Sequence, residues 1–353
     1  MGRYTGWQMS NNVHTIDDLR MMQALPLSVK VRMTETRIRQ WVQHYGEDGV
    51  YVSFSGGKDS TVLLDIVRGL YPDIPAVFVN TGLEYPEIQQ FVKTFDNVEI
   101  LRPKMRFDEV IRKYGYPFIS KEISQDIYYA RHGSENNVHY RKTFGIGDFE
   151  NSVYSSVKYN ALYYADFSVA NHCCAVMKKT PFKKYGKQTG RVGINGMQAD
   201  EGRRRQTAWL KTGCNAFNSK EPKSMPMSFW TKQDILHYIK ENHLPIASVY
   251  GDIVQVDEDG FIYESSLLPT CKYMTTGCAR TGCIFCGYGA HLEKGEGRFQ
   301  HLKRTHPKQY DYCMGGGAYD ETDGLWKPTK EGLGMAHCID ELCRLYGKDF
   351  IKY

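Results

Sequence analysis

Ser55-Gly56-Gly57-Lys58-Asp59-Ser60 is the segment that most restricts what this chain can become. It follows a short apolar run, Val50-Tyr51-Val52-Ser53-Phe54, and precedes Val62, Leu63, Ile66, Val67 and Leu70, which share one face at helical spacing. A strand that turns through two glycines straight into an amphipathic helix makes an anion cradle. The glycines let the backbone fold tightly and approach a ligand. The helix start aims its free N–H groups and positive dipole end at the same point. Lys58 adds a full charge, and the hydroxyls of Ser55 and Ser60 add donors. The GxxxxGK[ST] spacing of a Walker loop is absent.

The surrounding pattern is α/β. Ala76–Val79 reads as the next strand, Pro86–Phe95 as a helix and Val98–Leu101 as a third strand, with Arg191–Asn195 as another further on. This rhythm predicts a doubly wound, mostly parallel sheet. Upstream, Ile38, Trp41, Val42 and Tyr45 mark a helix that stops at Gly46, so residues 1–45 read as an N-terminal helical segment. Thr231 with Asp234 predicts a capping box for a helix running through Glu241. Residues from about 130 to 170 are rich in Tyr, Ser and Asn without a clean period, which predicts an insertion. After Tyr250 the composition shifts to Gly, Cys and short turns. The expected division is therefore 1–45, a nucleotide-binding domain over 46–250, and a Cys-rich C-terminal domain over 251–353.

With 41% hydrophobic and 24% charged residues, the 353-residue chain can form a packed core, and wholesale disorder is excluded. No run approaches the roughly 20 apolar residues of a membrane helix. The polar start MGRYTGWQMS has no signal-peptide core, and Gly6 stands where myristoylation needs Ser or Thr. A cytoplasmic protein without a membrane partner is expected. The net charge of +5 decides nothing by itself, but six basic residues and no acidic one lie between Lys178 and Arg191, and Arg203, Arg204 and Arg205 follow. Of the ten cysteines, Cys173 and Cys174 are adjacent and four lie between Cys271 and Cys286. In an intracellular chain that clustering points to metal or redox chemistry, not to a disulfide framework. Cys283 and Cys286 are close enough to grip one metal from a single turn, and Cys278 and Cys271 are the local candidates for further ligands.

The Ser-Gly-Gly-Lys-Asp-Ser loop resembles the PP-loop of the adenine-nucleotide α-hydrolase (ATP pyrophosphatase) superfamily, a Rossmann-like fold, in its phosphoadenosine phosphosulfate reductase branch. The likeness runs from about Leu25 to Phe285. Asn80-Thr81-Gly82-Leu83-Glu84-Tyr85-Pro86 is similar to the motif after the family's second strand. Cys173-Cys174 with Lys178 and Pro181 is similar to its Cys-Cys…Lys…Pro segment. Gly196-Met197 through Glu201 to Arg205 resembles its Gly-x-Arg…Glu-Ser…Arg motif, with Met197 and Gly202 as departures. Pro226, Trp230, Asp234, Leu244-Pro245 and Tyr250 follow its next run. The resemblance implies that Ser53, Ser55, Gly56, Gly57, Lys58, Asp59, Ser60, Thr81, Gly82 and Glu84 hold an adenine nucleotide. It makes Lys58, Asp59 and Ser60 the catalytic group, and it gives Lys178, Glu201, Arg204 and Arg205 to the substrate.

The branches of that family differ in what they do with the nucleotide. The reductases use a C-terminal Glu-Cys-Gly-Leu-His motif, and this chain has none. Its Cys338 and Cys343 fall on an amphipathic helix and read as buried structural thiols. Gly277-Cys278-Ala279-Arg280-Thr281-Gly282-Cys283-Ile284-Phe285-Cys286 instead resembles the Cys-rich segment of the ATP-pyrophosphatase subunit of DNA phosphorothioation systems, with Thr281 in place of a Phe. The leading expectation is thus ATP- and Mg²⁺-dependent adenylation of an acceptor, a nucleic acid, with pyrophosphate release in support of sulfur transfer. The alternatives are a reductase of adenylyl sulfate or its phosphorylated form, and a nucleotide-binding partner without catalysis. A cysteine desulfurase would serve the first as sulfur donor, a thioredoxin-like reductant the second.

The resemblance also implies metal ligation by Cys173, Cys174, Cys278, Cys283 and Cys286, with a 4Fe–4S cluster expected. Structural zinc and free, persulfide-carrying thiols stay open. Lys178, Lys179, Lys183 and Lys184 read either as phosphate contacts or as a solvated loop. Tyr128, Tyr129, Tyr154, Tyr159, Tyr163 and Tyr164 read as packing before base stacking, and His291, His301 and His306 as structural or surface residues.

Overall fold

The computed structural model describes residues 12–257 and 272–353; Cys271, a local ligand candidate, lies outside them. The described residues form two compact units that interleave along the chain. One takes the residues through Val79 together with Tyr85–Leu101 and Lys183–Thr281, and the other takes Asn80–Glu84, Arg102–Phe182 and Gly282–Tyr353. The composition shift near residue 250 falls inside the first unit.

That unit is built on a six-stranded sheet in the order Val98–Leu101, Ala76–Val79, Val50–Ser53, Val192–Asn195, Lys223–Ser224, Asn215–Ala216. Every neighbouring pair is parallel except the last. Val50–Ser53 is the pivot: the strands that follow it lie on one side and Val192–Asn195 on the other. Chain direction across the sheet reverses there, and the turn leaving such a strand is where α/β sheets bind ligands. Apolar runs make the central strands because both faces are covered; Val50, Val52, Ala76 and Val77 have no exposed surface. The helix Lys58–Leu70 buries Val62, Leu63, Leu64, Ile66 and Val67.

The helix Leu27–Tyr45 starts earlier than the periodic stretch suggested, because Lys30 and Thr34 are buried polar residues that hydropathy does not flag. Lys30 pairs with Asp234 at 2.7 Å, and Thr34 receives the indole N–H of Trp230 at 2.9 Å. The Asp234 oxygen that holds Lys30 also accepts the Thr231 backbone N–H at 2.6 Å. The expected capping box is therefore present over Lys232–Glu241, and it doubles as the counter-ion of a buried lysine.

The second unit is mainly helical, with Phe107–Tyr114, Lys121–Arg131, Val138–Phe144, Arg298–Thr305, Pro307–Met314 and Met335–Tyr346. Phe118–Ile119 pairs in parallel with Gly287–Tyr288. The tyrosine-rich stretch is ordered by local capping and by Arg131, whose guanidinium donates to the carbonyls of Tyr163 and Phe167 at 2.7 and 2.8 Å. Tyr163 packs edge-on against Phe144 and Tyr140, so these rings serve packing. No helix among the described residues is long and apolar enough to cross a membrane.

Asp234→Ala should lower unfolding free energy by about 3 kcal/mol in urea titrations, since it strands a buried ammonium. Adding Lys30→Met should recover part of that loss; no recovery would show that the ion pair is not the cause.

Candidate functional site

The turn from strand to helix depends on Gly56. Its φ is +71°, and a Cβ there would sit 2.8 Å from a Val92 methyl and 2.9 Å from an Ile88 methyl. Gly57 is the N-cap and has no side chain to cap the helix, so first-turn amides stay available to an anion. Ser60 does not offer its hydroxyl outward, as the sequence suggested. It is buried, donates to the Gly57 carbonyl at 2.9 Å and accepts the Ser55 amide at 3.1 Å. Thr61 donates to the same carbonyl at 3.1 Å. The two hydroxyls fix the cradle's shape, leaving exposed Ser55 at its rim and half-buried Ser53 at its base.

Lys58 lies with its ammonium 4.6 Å from the centre of the Tyr250 ring and donates to the Ala279 carbonyl at 3.3 Å. Burial lowers its pKa, against the opposing pull of Asp59 and Cys278. Burial also pushes the Tyr250 hydroxyl up to about 12, so it stays protonated beside the Lys58 amide and the Thr281 hydroxyl. Asp59 accepts from the Gln198 amide at 3.0 Å; burial raises its pKa while Lys58, Arg280 and Arg205 oppose the rise. Gly196 follows the pivot's neighbouring strand because a Cβ there would lie 2.9 Å from the Asp59 carbonyl.

Glu201 pairs with Arg205 and, at 3.0 Å, with Arg280. It therefore orients two guanidiniums. Arg204 is exposed on the helix Arg203–Thr212. Sequence reasoning passed over Arg280 and Gln198. Arg280 stood among cysteines that drew the attention, and Gln198 carries no charge pattern. Lys58, Arg205 and Arg280 all act on Asp59, which makes this part of the unit a cationic cradle suited to a polyphosphate.

In the second unit, Asn80–Glu84 forms a self-braced loop. The buried Glu84 carboxylate accepts the Thr81 amide at 3.0 Å and the Thr81 hydroxyl at 2.8 Å, and Asn80 accepts the Gly82 amide at 3.0 Å. Lys178 lies 3.5 Å from Glu84. Burial works against its charge, but Cys283 and Glu84 outweigh it and hold its pKa above the lysine norm. Lys178 thus faces thiols and a carboxylate within this unit. The residues Ala175–Lys179 form a π-helical turn, a feature common at functional sites and without a sequence signature.

Cys173, Cys174, Cys283 and Cys286 line one small cavity together with Lys178 and apolar Leu83, Phe107 and Met177. The hydrogen bond with Cys173 holds the Cys174 thiol well below the ordinary thiol range, helped by Lys121 and Lys178. Burial raises Cys283 to about 11 and also raises Cys286. The donor set, four sulfurs and no oxygen, suits iron–sulfur or zinc. Among the described residues no group of three or more Cys, His, Asp or Glu is drawn together tightly enough to hold an ion. Cys278 belongs to the first unit, buried near Lys58 with its amide on the Val249 carbonyl at 2.9 Å, while the other four thiols belong to the second.

Over residues 49–120 and 147–287 the chain matches the phosphoadenosine phosphosulfate reductase domain. It belongs to that family. The match leaves out residues 121–146, so part of the expected insertion is additional to the reductase-family domain. An adenosine 5'-phosphosulfate reductase of Staphylococcus haemolyticus is 23% identical over 214 residues, which span 60% of this chain and 70% of that one. The corresponding protein of Geobacillus kaustophilus is 24% identical over 204 residues, spanning 58% and 67%. A phosphoadenylyl-sulfate reductase structure from Candida auris, a phosphate complex, aligns at 14% identity with a TM-score of 0.36, covering 66% of this chain and 90% of that one.

Gly56→Ala should cost about 1–3 kcal/mol through backbone strain, read as a lower midpoint in urea titrations. An unchanged midpoint would show that the loop tolerates a Cβ.

Proposed function

We propose that this member of the family binds ATP at Ser55–Ser60 and adenylates an acceptor oxygen, releasing pyrophosphate for a later sulfur substitution. The observation that carries this reading is the cationic cradle that Lys58, Arg205 and Arg280 make around Asp59, while the two thiols of the helix Met335–Tyr346 are already engaged. Cys338 has no exposed surface, and the half-exposed Cys343 points its thiol at the Ile351 carbonyl. In this reaction the acceptor oxygen attacks the α-phosphorus and the bond to pyrophosphate breaks. Lys58 and the first-turn amides neutralise charge growing on the leaving oxygens. Arg205 and Arg280, aligned by Glu201, hold the remaining phosphate oxygens. Asp59 is a hard oxygen donor of the kind Mg²⁺ takes, and the ion would share the neutralisation. The nucleic-acid acceptor and a cysteine desulfurase as sulfur donor belong to this proposal through the resemblance of the cysteine segment; the relatives' names do not speak for them.

Sulfonucleotide reduction is the second reading. The adenosine 5'-phosphosulfate reductases among the relatives and the convergence of four cysteines favour it. Under either reading Cys173, Cys174, Cys283 and Cys286 would hold a 4Fe–4S cluster, with zinc as the other candidate, by drawing closer together than they stand in the empty cavity. Such a centre would supply a covalent staple between distant parts of the chain.

With ATP, Mg²⁺ and candidate acceptors the chain should release pyrophosphate, and Lys58→Ala should lower the rate at least about a hundredfold with an unchanged circular dichroism spectrum. Sulfite release from adenylyl sulfate with thioredoxin, and no pyrophosphate from ATP, would overturn the first reading in favour of the second. Anaerobically prepared protein should contain iron and acid-labile sulfide, both lost in Cys283→Ser; zinc in their place would exclude the cluster.

A further inference from the structure

Arg298 grips one of the two cysteine pairs from a part of the chain beyond the last family-matched residue, 287. Its guanidinium donates to the Cys286 carbonyl at 2.8 Å. The rest of the fork is committed to Glu293. Nε donates to one carboxylate oxygen at 2.8 Å, and Nη2 lies 2.8 Å from the same oxygen. The other Glu293 oxygen accepts the Arg298 backbone amide at 2.8 Å. That amide opens the helix Arg298–Thr305, so one carboxylate both satisfies a helix start and aligns the guanidinium. Phe299 and Leu302, with no exposed surface, anchor this helix. Arginine suits the task because its planar fork holds a carboxylate and a carbonyl at fixed angles.

The turn it grips is braced along its length. The Cys286 amide bonds to the Cys283 carbonyl at 3.1 Å, and the Ile284 amide to the Leu83 carbonyl at 2.8 Å. Directly after it, Gly287–Tyr288 pairs with Phe118–Ile119, and the Tyr288 hydroxyl donates to the Ala170 carbonyl at 2.7 Å. Cys173 and Cys174 are held differently. They run into the π-helical turn Ala175–Lys179, and among the described residues no side chain donates to the backbone of either. The four thiols share a cavity without being close enough to hold an ion, so loading has to move one pair. We propose that Arg298 makes Cys283 and Cys286 the fixed half of the metal centre, onto which Cys173 and Cys174 close. Arg298 is a positioning residue, acting on the metal through the Cys286 backbone as outer-shell partners orient ligands. This role rests on the reading of the four thiols as a metal site.

The test uses the full-length chain isolated anaerobically, with bound iron and zinc followed over time in excess EDTA. Arg298→Ala should lose its metal at least about tenfold faster than the native chain, with an unchanged circular dichroism spectrum. Arg298→Lys keeps a donor for the carbonyl without the fork and should fall between the two. Glu293→Gln keeps the guanidinium but weakens its anchor, and should speed the loss in the same direction. Once the metal is removed, iodoacetamide should alkylate Cys283 and Cys286 faster in Arg298→Ala than in the native chain, with Cys173 and Cys174 unchanged. A merely structural role would loosen all four thiols alike. In hydrogen exchange, bound metal should slow the amides of residues 173–179 more than those of residues 283–287. Equal metal loss from the native chain and Arg298→Ala, the same change at all four thiols, or the opposite exchange pattern would overturn the proposal. A native chain that carries neither iron nor zinc removes the metal reading. Selective alkylation then still supports Arg298 as the holder of the turn, and unselective alkylation overturns it.

Discussion

The turn at Gly56 is the constraint on which the first unit depends. The backbone must pass from an extended strand into a helix within four residues, and it does so through a left-handed conformation packed against Ile88 and Val92. A side chain would meet both a strained φ and two methyl groups. Once the turn is made, Ser60 and Thr61 donate to the Gly57 carbonyl and lock it, so hydroxyls that could have served a ligand serve the loop. What remains for an anion is backbone amides and Lys58.

Around that turn the charges are arranged as a small network. Asp59 acts on Lys58, Arg205 and Arg280, while Glu201 holds both arginines. Each partly buried charge has an opposite neighbour, which keeps the desolvation cost tolerable. A polyphosphate would enter a cradle already paired internally and would gain by replacing carboxylate contacts with its own. The second unit solves a different problem. Two thiol pairs far apart in sequence share an apolar cavity with one lysine and one buried carboxylate beside it.

The strands Ala76–Val79 and Val98–Leu101 could be read from the sequence to the residue, the first because a buried parallel strand is a short apolar run bounded by turns and the second, an exposed edge strand, because β-branched Val98 and Ile100 alternate along it. The helix Pro86–Val92 stops earlier than the apolar pattern, as Phe95 packs on Phe54 and Phe91 from beyond the helix end. The family too was legible, since loop, paired cysteines and the Glu201–Arg205 stretch occur in order. The roles of single residues were less so. Ser60 and Glu84 looked like ligand contacts and are internal braces, because hydrogen-bonding direction is set by the fold and not by residue type.

By itself, then, the sequence determined a strand–glycine–helix cradle, a parallel sheet and the set of reactive side chains, for these follow from local spacing and hydropathy. Only the tertiary structure decided which cysteines share a cavity, that Cys278 lies beside Lys58, and that Arg280 joins Arg205 on Glu201. Those pairings join residues tens to more than a hundred positions apart, and no local rule carries such distances. The packing of distant segments, which satisfies buried charges and sulfurs together, is what selects them.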